Sequence, residues 1–275
     1  MSRLIDKEPN LRTKPMQVVC LGMSRTGTLG LYWSLNLLGY RTYHMVEILN
    51  NGERDLNLTV EAYKAKYEDG RPYGREELDR WYGQYDAVCD LPAWLFVEEM
   101  YAAYPDAKFI LTDRNVDDWV RSMHNTVFAA TASKFIRALG LIDWVLMRPF
   151  RTICINLSID HCGWGDDTRT AEVYRQHVER VKATIPSEQL LYLRLEEGIT
   201  WEKLCTFLDK PVPDVPIPSG KKNGPGNFDE IAQAFVSRAI LGVARRFLLY
   251  SCVPAIAAGA WYLRRQPGGL RLPWL

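Results

Sequence analysis

The sequence predicts a three-layer α/β fold, a parallel sheet flanked by helices, with an apolar helix added at the C-terminal end. Three observations predict it. The stretch Met16 to Tyr40 reads as a short buried strand, a glycine-bounded turn and a helix. Two further strand-to-helix units follow, from Tyr85 to Tyr104 and from Lys108 to Asn125, and successive units of this kind build a parallel sheet with right-handed crossovers. Finally, Phe228 to Leu263 is helical in pattern almost throughout and ends in 17 residues without a charge.

The totals agree. A chain of 275 residues, 47% hydrophobic and 12% aromatic, suits one large α/β domain with a packed core. The formal net charge of +1 gives no bulk electrostatic case for nucleic acid. Six cysteines are scattered with no CxxC pair, so a zinc site is not expected. The first ten residues are polar and lack the apolar segment of a secretion signal, which points to a reducing, cytoplasmic setting.

Taken in order, residues 1–15 are a polar lead-in. Gln17 to Leu21 is a valine-rich run of the buried parallel-strand type. Leu29 to Leu38 places Leu31, Leu35 and Leu38 on one helical face, and Gly39 is a natural stop. Arg41 to Met45 is a short extended piece. Asn50 to Tyr82 is polar and weakly periodic, suited to one or two surface helices, including Thr59 to Tyr67. Tyr85 to Cys89 is a second strand, and Ala93 to Tyr104 is helical by period. Lys108 to Thr112 is the strongest strand signal, followed by a helix from Val116 to Asn125 with Asn115 as its N-cap. Val127 to Met147 reads as one apolar helix, a lid over the C-terminal edge of the sheet. Thr168 to Ile185 is an amphipathic helix, Leu190 to Leu195 a fourth strand, and Trp201 to Leu208 a short helix. The proline- and glycine-rich stretch Lys210 to Asn227 separates a domain at 1–227 from a helical tail at 228–275.

Within that tail, Phe247 to Leu263 is bracketed by Arg245-Arg246 and Arg264-Arg265. At 1.5 Å per residue it reaches about 25 Å, the short edge of a membrane span. Pro254 is tolerated in such helices, and Trp261 with Tyr262 suits an interfacial belt. The expectation is a transmembrane or embedded anchor tethering a cytoplasmic domain. A buried helix, or one lying flat on a membrane, is the alternative.

The chemistry concentrates in the first turn. Gly22-x-x-x-x-Gly27 matches the front of a nucleotide phosphate loop, and the turn resembles one, as a P-loop-type fold would place it. Backbone amides and a helix N-terminus there point at a phosphate. The lysine that follows the second glycine in ATP-splitting loops is absent; Thr28 stands in its place, and the positive charge sits earlier, at Arg25. An ordinary strand-to-helix turn is the plainer alternative. Arg114 lies just past the third strand, with Ser122 eight residues later on the following helix. Ligands of open parallel sheets bind at that edge, and an arginine fork suits phosphate oxygens. The competing role for Arg114 is an ion pair with Asp117 or Asp118.

Together, Gly22-x-x-Arg25-Thr26-Gly27-Thr28 and the Arg114/Ser122 pair resemble the PAPS-dependent sulfotransferases. Tyr43-His44-Met45, Tyr104-Pro105-Asp106-Ala107-Lys108 and Trp201-Glu202-Lys203-Leu204-Cys205 are similar to recurring segments of a small sulfotransferase-like branch common in fungi and bacteria. The resemblance covers roughly Met16 to Pro218. It implies a transferase that moves a sulfonate group from 3′-phosphoadenosine 5′-phosphosulfate (PAPS) to a hydroxyl or amine of a small acceptor. It implies that Arg25, Thr26, Gly27, Thr28 and Leu29 hold the 5′-phosphosulfate end, and that Arg114 and Ser122 hold the 3′-phosphate. It also makes sense of the missing lysine, because sulfonate transfer requires no metal bridging two phosphates. The aromatic and aliphatic side chains of Val127 to Met147 suggest an apolar acceptor.

One departure bears on mechanism. Where the cytosolic sulfotransferases carry a histidine base in Lys-Thr-His-Leu-Pro, this chain reads Val88-Cys89-Asp90-Leu91-Pro92. Asp90 stands in the position of that base, with His44 as the rival and Glu47 placed to orient it or to contact substrate; capping of the next helix is the alternative for Asp90. Arg25 is counted with the catalytic candidates for its charge on the leaving phosphate. Lys221-Lys222-Asn223-Gly224 is a loose match to a late phosphate-binding loop. Two other readings of the whole chain stand beside sulfonate transfer, a nucleotide-dependent phosphotransferase and a non-catalytic, membrane-associated binding protein on the same fold.

Overall fold

The computed structural model of the protein describes residues 3–219 and 228–265. A five-stranded, wholly parallel sheet runs through it in the order β2-β3-β1-β4-β5. β1 is Val18–Cys20, and α1, Thr28–Leu37, follows directly. β2 is Thr42–Tyr43, then come α2 (Met45–Asn51), α3 (Glu53–Tyr67) and α4 (Arg75–Trp81). β3 is Ala87–Val88, followed by a 3-10 turn at Ala93–Phe96 and by α5, Val97–Ala103. β4, Lys108–Asp113, leads into α6, Val116–Met123. Three helices form the lid: α7 (Ala129–Ala132), α8 (Lys134–Ile142) and α9 (Met147–Asn156). α10 is Asp167–Thr184, β5 is Leu190–Arg194 and α11 is Trp201–Leu208. The tail holds α12 (Phe228–Phe247) and α13 (Val253–Arg265) with a π-helical turn, Leu248–Cys252, between them.

The central strand shows how the layers arise. Val18 and Cys20 pack on one face with Leu31 and Leu35 of α1 and with Leu204 and Leu208 of α11. Val19 and Leu21 point to the other face, among Phe109, Leu111, Trp119 and Trp81. This two-residue alternation, buried on both sides, is what a parallel sheet between helical layers requires. β4 and β5 pair from Phe109↔Leu190 to Asp113↔Arg194, which carries the C-terminal ends of both strands to the edge where the loop after β1 lies.

Three expectations are revised. The extended piece after α1 is a true strand: Thr42 and Tyr43 pair with Ala87 and Val88 at the sheet edge. The single lid helix is divided. The Ser133 hydroxyl accepts the Ile136 N–H at 3.3 Å, and Asp143 accepts the Val145 and Met147 N–H groups, both at 3.2 Å. Short polar side chains that capture backbone amides end one helix and start the next.

The tail expectation changes most. Among the described residues no helix is long and apolar enough to cross a membrane. The uncharged stretch 247–263 is shared between the last residue of α12, the π-helical turn and α13, and its 17 residues fall short of a hydrocarbon core of about 30 Å. The 227/228 boundary marks the start of a helix, yet α12 packs on the rest of the fold. Phe235 and Ala239 are buried, Phe235 meets Phe150 with ring centroids 5.2 Å apart, and Arg238 donates to the Asn50 carbonyl at 3.1 Å.

Candidate active site

The loop after β1 is built by close approach to β4. A Cβ on Gly22 would lie 1.9 Å from Thr112 Oγ1 and 2.8 Å from the Thr112 carbonyl, so only glycine fits. Thr26 is fully buried; its hydroxyl donates to the Met23 carbonyl at 2.7 Å or shares a hydrogen bond with Thr112 Oγ1 at 2.6 Å. The Thr26 side chain therefore fastens the loop and is not free to contact a ligand. His177, from α10, donates from Nε2 to the Leu21 carbonyl at 2.7 Å and pins the strand end where the loop begins. Arg25 and Gly27 have φ values of 76° and 91°, in the left-handed region. Gly27 is the N-cap of α1; it supplies no side-chain cap, and the first turn holds no acidic residue. The positive end of the helix thus opens toward the sheet edge.

Arg25, Arg114 and Ser122 meet there. Arg25 Nε donates to Ser122 Oγ at 3.2 Å, and Arg114 Nη1 donates to the Arg25 carbonyl at 2.9 Å. The eight-residue interval between Arg114 and Ser122 spans the turn from β4 into α6, which brings both side chains back to one loop residue. Neither Asp117 nor Asp118 pairs with Arg114; Asp118 pairs with Arg121, and both amides are capped by Asn115 Oδ1 at 3.0 and 3.2 Å. Arg114 Nε is buried without a hydrogen-bond partner, a donor left for an anion. Burial, reinforced by Arg114, lowers the Arg25 pKa, against the pull of Asp90 and Asp229. The corner itself is held by Tyr174, whose hydroxyl donates to Asp113 at 2.6 Å and accepts the Arg114 N–H at 2.9 Å. Trp119 stacks on Tyr174 and donates to the Ser24 carbonyl at 2.9 Å.

The second half of the site joins Asp90 and His44, which are 4% and 2% exposed. Asp90 Oδ1 accepts the Ser24 hydroxyl at 2.6 Å, and Oδ2 lies 3.4 Å from His44 Nε2. The 3-10 turn after Asp90 has no side-chain cap, so the carboxylate serves the loop rather than that turn. His44 is the N-cap of α2, with Nδ1 accepting the Val46 N–H at 3.1 Å. An accepting Nδ1 carries no proton, so the neutral ring holds its proton on Nε2, facing Asp90 and, also at 3.4 Å, Thr28 Oγ1. Burial lowers the His44 pKa despite the nearby Asp90 and Glu47 carboxylates, which favours this neutral form. Glu47 is engaged elsewhere, accepting the Tyr32 hydroxyl at 2.7 Å and the Tyr85 hydroxyl at 3.0 Å.

Between these two halves lies a cavity of about 300 Å³. Its floor is Ser24, Arg25, Thr28, His44 and Asp90. Its walls are apolar, with Leu29, Met45 and Leu91 on one side and Val127, Phe150 and Ile153 of the lid on the other. α12 closes it through Asp229 and Ala232. A larger open groove of about 970 Å³, at the amino ends of β4 and β5, is remote from all of these groups. Among the described residues no group of three or more His, Cys, Asp or Glu side chains could hold a metal ion. Lys221-Lys222-Asn223-Gly224 lies outside the described residues.

The fold brings Arg25, Arg114, Ser122, Asp90 and His44 together, and adds the Ser24 hydroxyl, the His177 anchor and the wall contributed by α12, none of which the sequence pattern singles out. A serine between Gly22 and Arg25 was a usable signal, since it lies in the same loop. His177 and Asp229 had none, because their partners are 156 residues away in one case and reached only by folding the tail back in the other.

The sulfotransferase domain family matches residues 17–225 of the chain. The "Ava biosynthesis cluster protein M" of Aspergillus versicolor is 32% identical over 261 residues, covering 91% of this chain and 98% of that protein. Among solved structures, that of a sulfotransferase from Alicyclobacillus acidocaldarius aligns with 18% identity and a TM-score of 0.41, over 86% of this chain and 96% of that one. The family match spans both the Gly22 to Thr28 loop and the Arg114/Ser122 corner, and the chain belongs to the sulfotransferase domain family.

Proposed function

We propose that the protein transfers a sulfonate group from PAPS to a hydroxyl, or an amine, of a small apolar acceptor. Membership of the sulfotransferase family supports group transfer. The observation that carries the finer reading is the convergence of Arg25, Arg114 and Ser122 on the uncapped N-terminus of α1, with a buried Arg114 Nε still lacking a partner. This donor set suits two phosphates held close together.

Bound there, PAPS supplies the sulfonate and a 3′,5′-bisphosphate leaving group. Arg25 and the amides of Thr26, Gly27 and Thr28 hold the 5′-phosphate, beside Leu29 in the cavity wall. Arg114 and Ser122 hold the 3′-phosphate. As the acceptor oxygen bonds to sulfur, the bond from sulfur to the 5′-phosphate oxygen breaks and Arg25 offsets the charge that develops on that oxygen. Asp90 takes the proton of the acceptor hydroxyl. Ser24 and the His44 Nε2–H steady its two oxygens, each of which retains further acceptor capacity. The apolar walls select the acceptor body and exclude water from the transfer.

Isothermal titration with 3′,5′-adenosine bisphosphate is the direct test, followed by mass spectrometry of PAPS reactions over a panel of apolar alcohols, phenols and amines. Binding and a product heavier by one sulfonate are expected. Folded protein that gives no heat at millimolar bisphosphate overturns the donor assignment; binding with no transfer to any acceptor overturns the catalytic reading and leaves a binding protein.

A further inference from the structure

A second surface feature lies apart from the sulfonate-transfer groups. α8 buries Leu139 and Gly140 but leaves Phe135, Leu141 and Ile142 in solvent, followed by an exposed Trp144. α12 buries Phe235 and Ala239, yet beyond them Ile240, Leu241 and Phe247 are exposed, as are Leu248, Leu249 and Tyr250 of the π-helical turn. Trp261, Tyr262 and Leu263 of α13 are exposed too. Leu141 is 70% exposed and Tyr250 74%. Among the described residues, 13 of the 22 large apolar side chains left in solvent belong to these two segments, so the exposure is concentrated rather than scattered.

The two segments are joined. Arg246 of α12 pairs with Asp143, at the end of α8, at 2.5 Å, and its guanidinium lies over the Trp144 ring, 5.2 Å from the centroid. Charge in this region is one-sided. Residues 134–151 and 231–265 contain nine lysines and arginines and a single acid, Asp143, which is fully buried against Arg246. The whole chain carries only +1, so the rest of it is net acidic. Lys134, Arg137, Arg148 and Arg245, within the same two segments, are exposed.

Exposed aliphatic and aromatic side chains on segments that also carry exposed cations and no free acid match the headgroup region of an anionic bilayer. A second copy of this chain docked here would oppose the same positive charges across the contact, which disfavours self-association. We propose that α8, Trp144 and the segment from Ile240 to Leu263 form one face that lies flat on an anionic lipid bilayer. The aromatic rings enter the interface and the basic side chains meet lipid phosphates. This mode of contact needs no crossing helix, and it stands independently of the sulfonate-transfer reading.

The test uses the full chain in co-sedimentation with phosphatidylcholine vesicles, with and without phosphatidylserine. Sedimentation with the anionic vesicles, weakened by salt and much lower on neutral ones, is expected. Arg148→Glu combined with Arg245→Glu should reduce the bound fraction at least about tenfold. Leu241→Ser, Phe247→Ser and Leu248→Ser together should abolish it, whereas Val212→Ser, at an exposed position outside this face, should not. Circular dichroism melts confirm that each variant is folded. A folded wild-type chain that stays in the supernatant with anionic vesicles at low salt overturns the proposal. So does equal binding to neutral vesicles, or a dimer in sedimentation equilibrium that the triple serine variant dissolves.

Discussion

His44 Nε2 lies 3.4 Å from Asp90 Oδ2, and the other nitrogen of the same ring is already accepting the Val46 N–H. That pairing separates two residues which the sequence leaves as rivals for one proton. A buried histidine whose Nδ1 caps a helix is a donor at Nε2, so within this pair the carboxylate accepts the hydrogen bond, which supports the proposal of Asp90 as the base and His44 as its positioning partner.

Asp90→Asn should therefore lower turnover by about 10²- to 10⁴-fold, the usual contribution of a general base, with bisphosphate affinity changed little. His44→Gln should cost less in turnover and shift the acidic limb of the pH profile instead. Bisphosphate released from PAPS in the presence of an acceptor gives both rates. Equal losses for the two variants, with no change of profile, would count against this division of roles.

Arg114 is expected to act on one phosphate only. Arg114→Ala removes charge-assisted hydrogen bonds worth about 1.5–3 kcal/mol, or about 10- to 150-fold in the dissociation constant of 3′,5′-adenosine bisphosphate. Binding of 5′-AMP, which lacks the 3′-phosphate, should change much less. Titration of both nucleotides against wild type and variant measures the difference; parallel losses would place Arg114 elsewhere.

Gly22 tolerates no side chain. In Gly22→Ala the new methyl group meets the backbone of Thr112 as well as its hydroxyl, and backbone in a central strand has no room to retreat. A destabilisation of about 2–3 kcal/mol is expected, seen as a fall of roughly 5–10 °C in the melting temperature.

Acid should weaken the fold through buried histidine. Burial takes the His177 pKa from 6.5 to about 4. The unfolded chain then binds the proton at a higher pH than the native one, so stability is full above pH 6.5 and falls as the pH drops toward 4. The shift corresponds to about 3 kcal/mol at most. His44 shifts in the same direction and adds to the effect. Urea unfolding at neutral pH and at about pH 5 should show the decline, and His177→Phe should flatten it. That variant also leaves the Leu21 carbonyl unpaired, which costs about 1–3 kcal/mol at neutral pH.

Much of the candidate site was legible because it is local. Gly22 to Thr28 declares itself through glycine spacing, and the interval from Arg114 to Ser122 is fixed by one strand end and two helical turns. Thr26 shows the limit of such reading. Its place in the motif implies ligand contact through the backbone amide and leaves the side chain open; the hydroxyl turns inward to Met23 and Thr112, a choice made by the neighbouring strand. The strand at Thr42–Tyr43 is too short to show a period and exists because β3 offers it a ladder.

By itself the sequence determined the parallel sheet, the glycine-bounded turn after β1 and the identity of the charged groups beside it. Those follow from alternation, helical period and glycine placement, which act over a few residues. Tertiary structure alone decided which atom of His44 faces Asp90, where the lid breaks, and what becomes of the tail. The uncharged run from Phe247 to Leu263 satisfies a hydropathy pattern for an anchor, but hydropathy cannot register that α12 turns back over the cavity, buries Phe235 against Phe150 and ties Arg246 to Asp143. Contacts between residues about a hundred positions apart are set by how layers pack, and no local pattern carries that information.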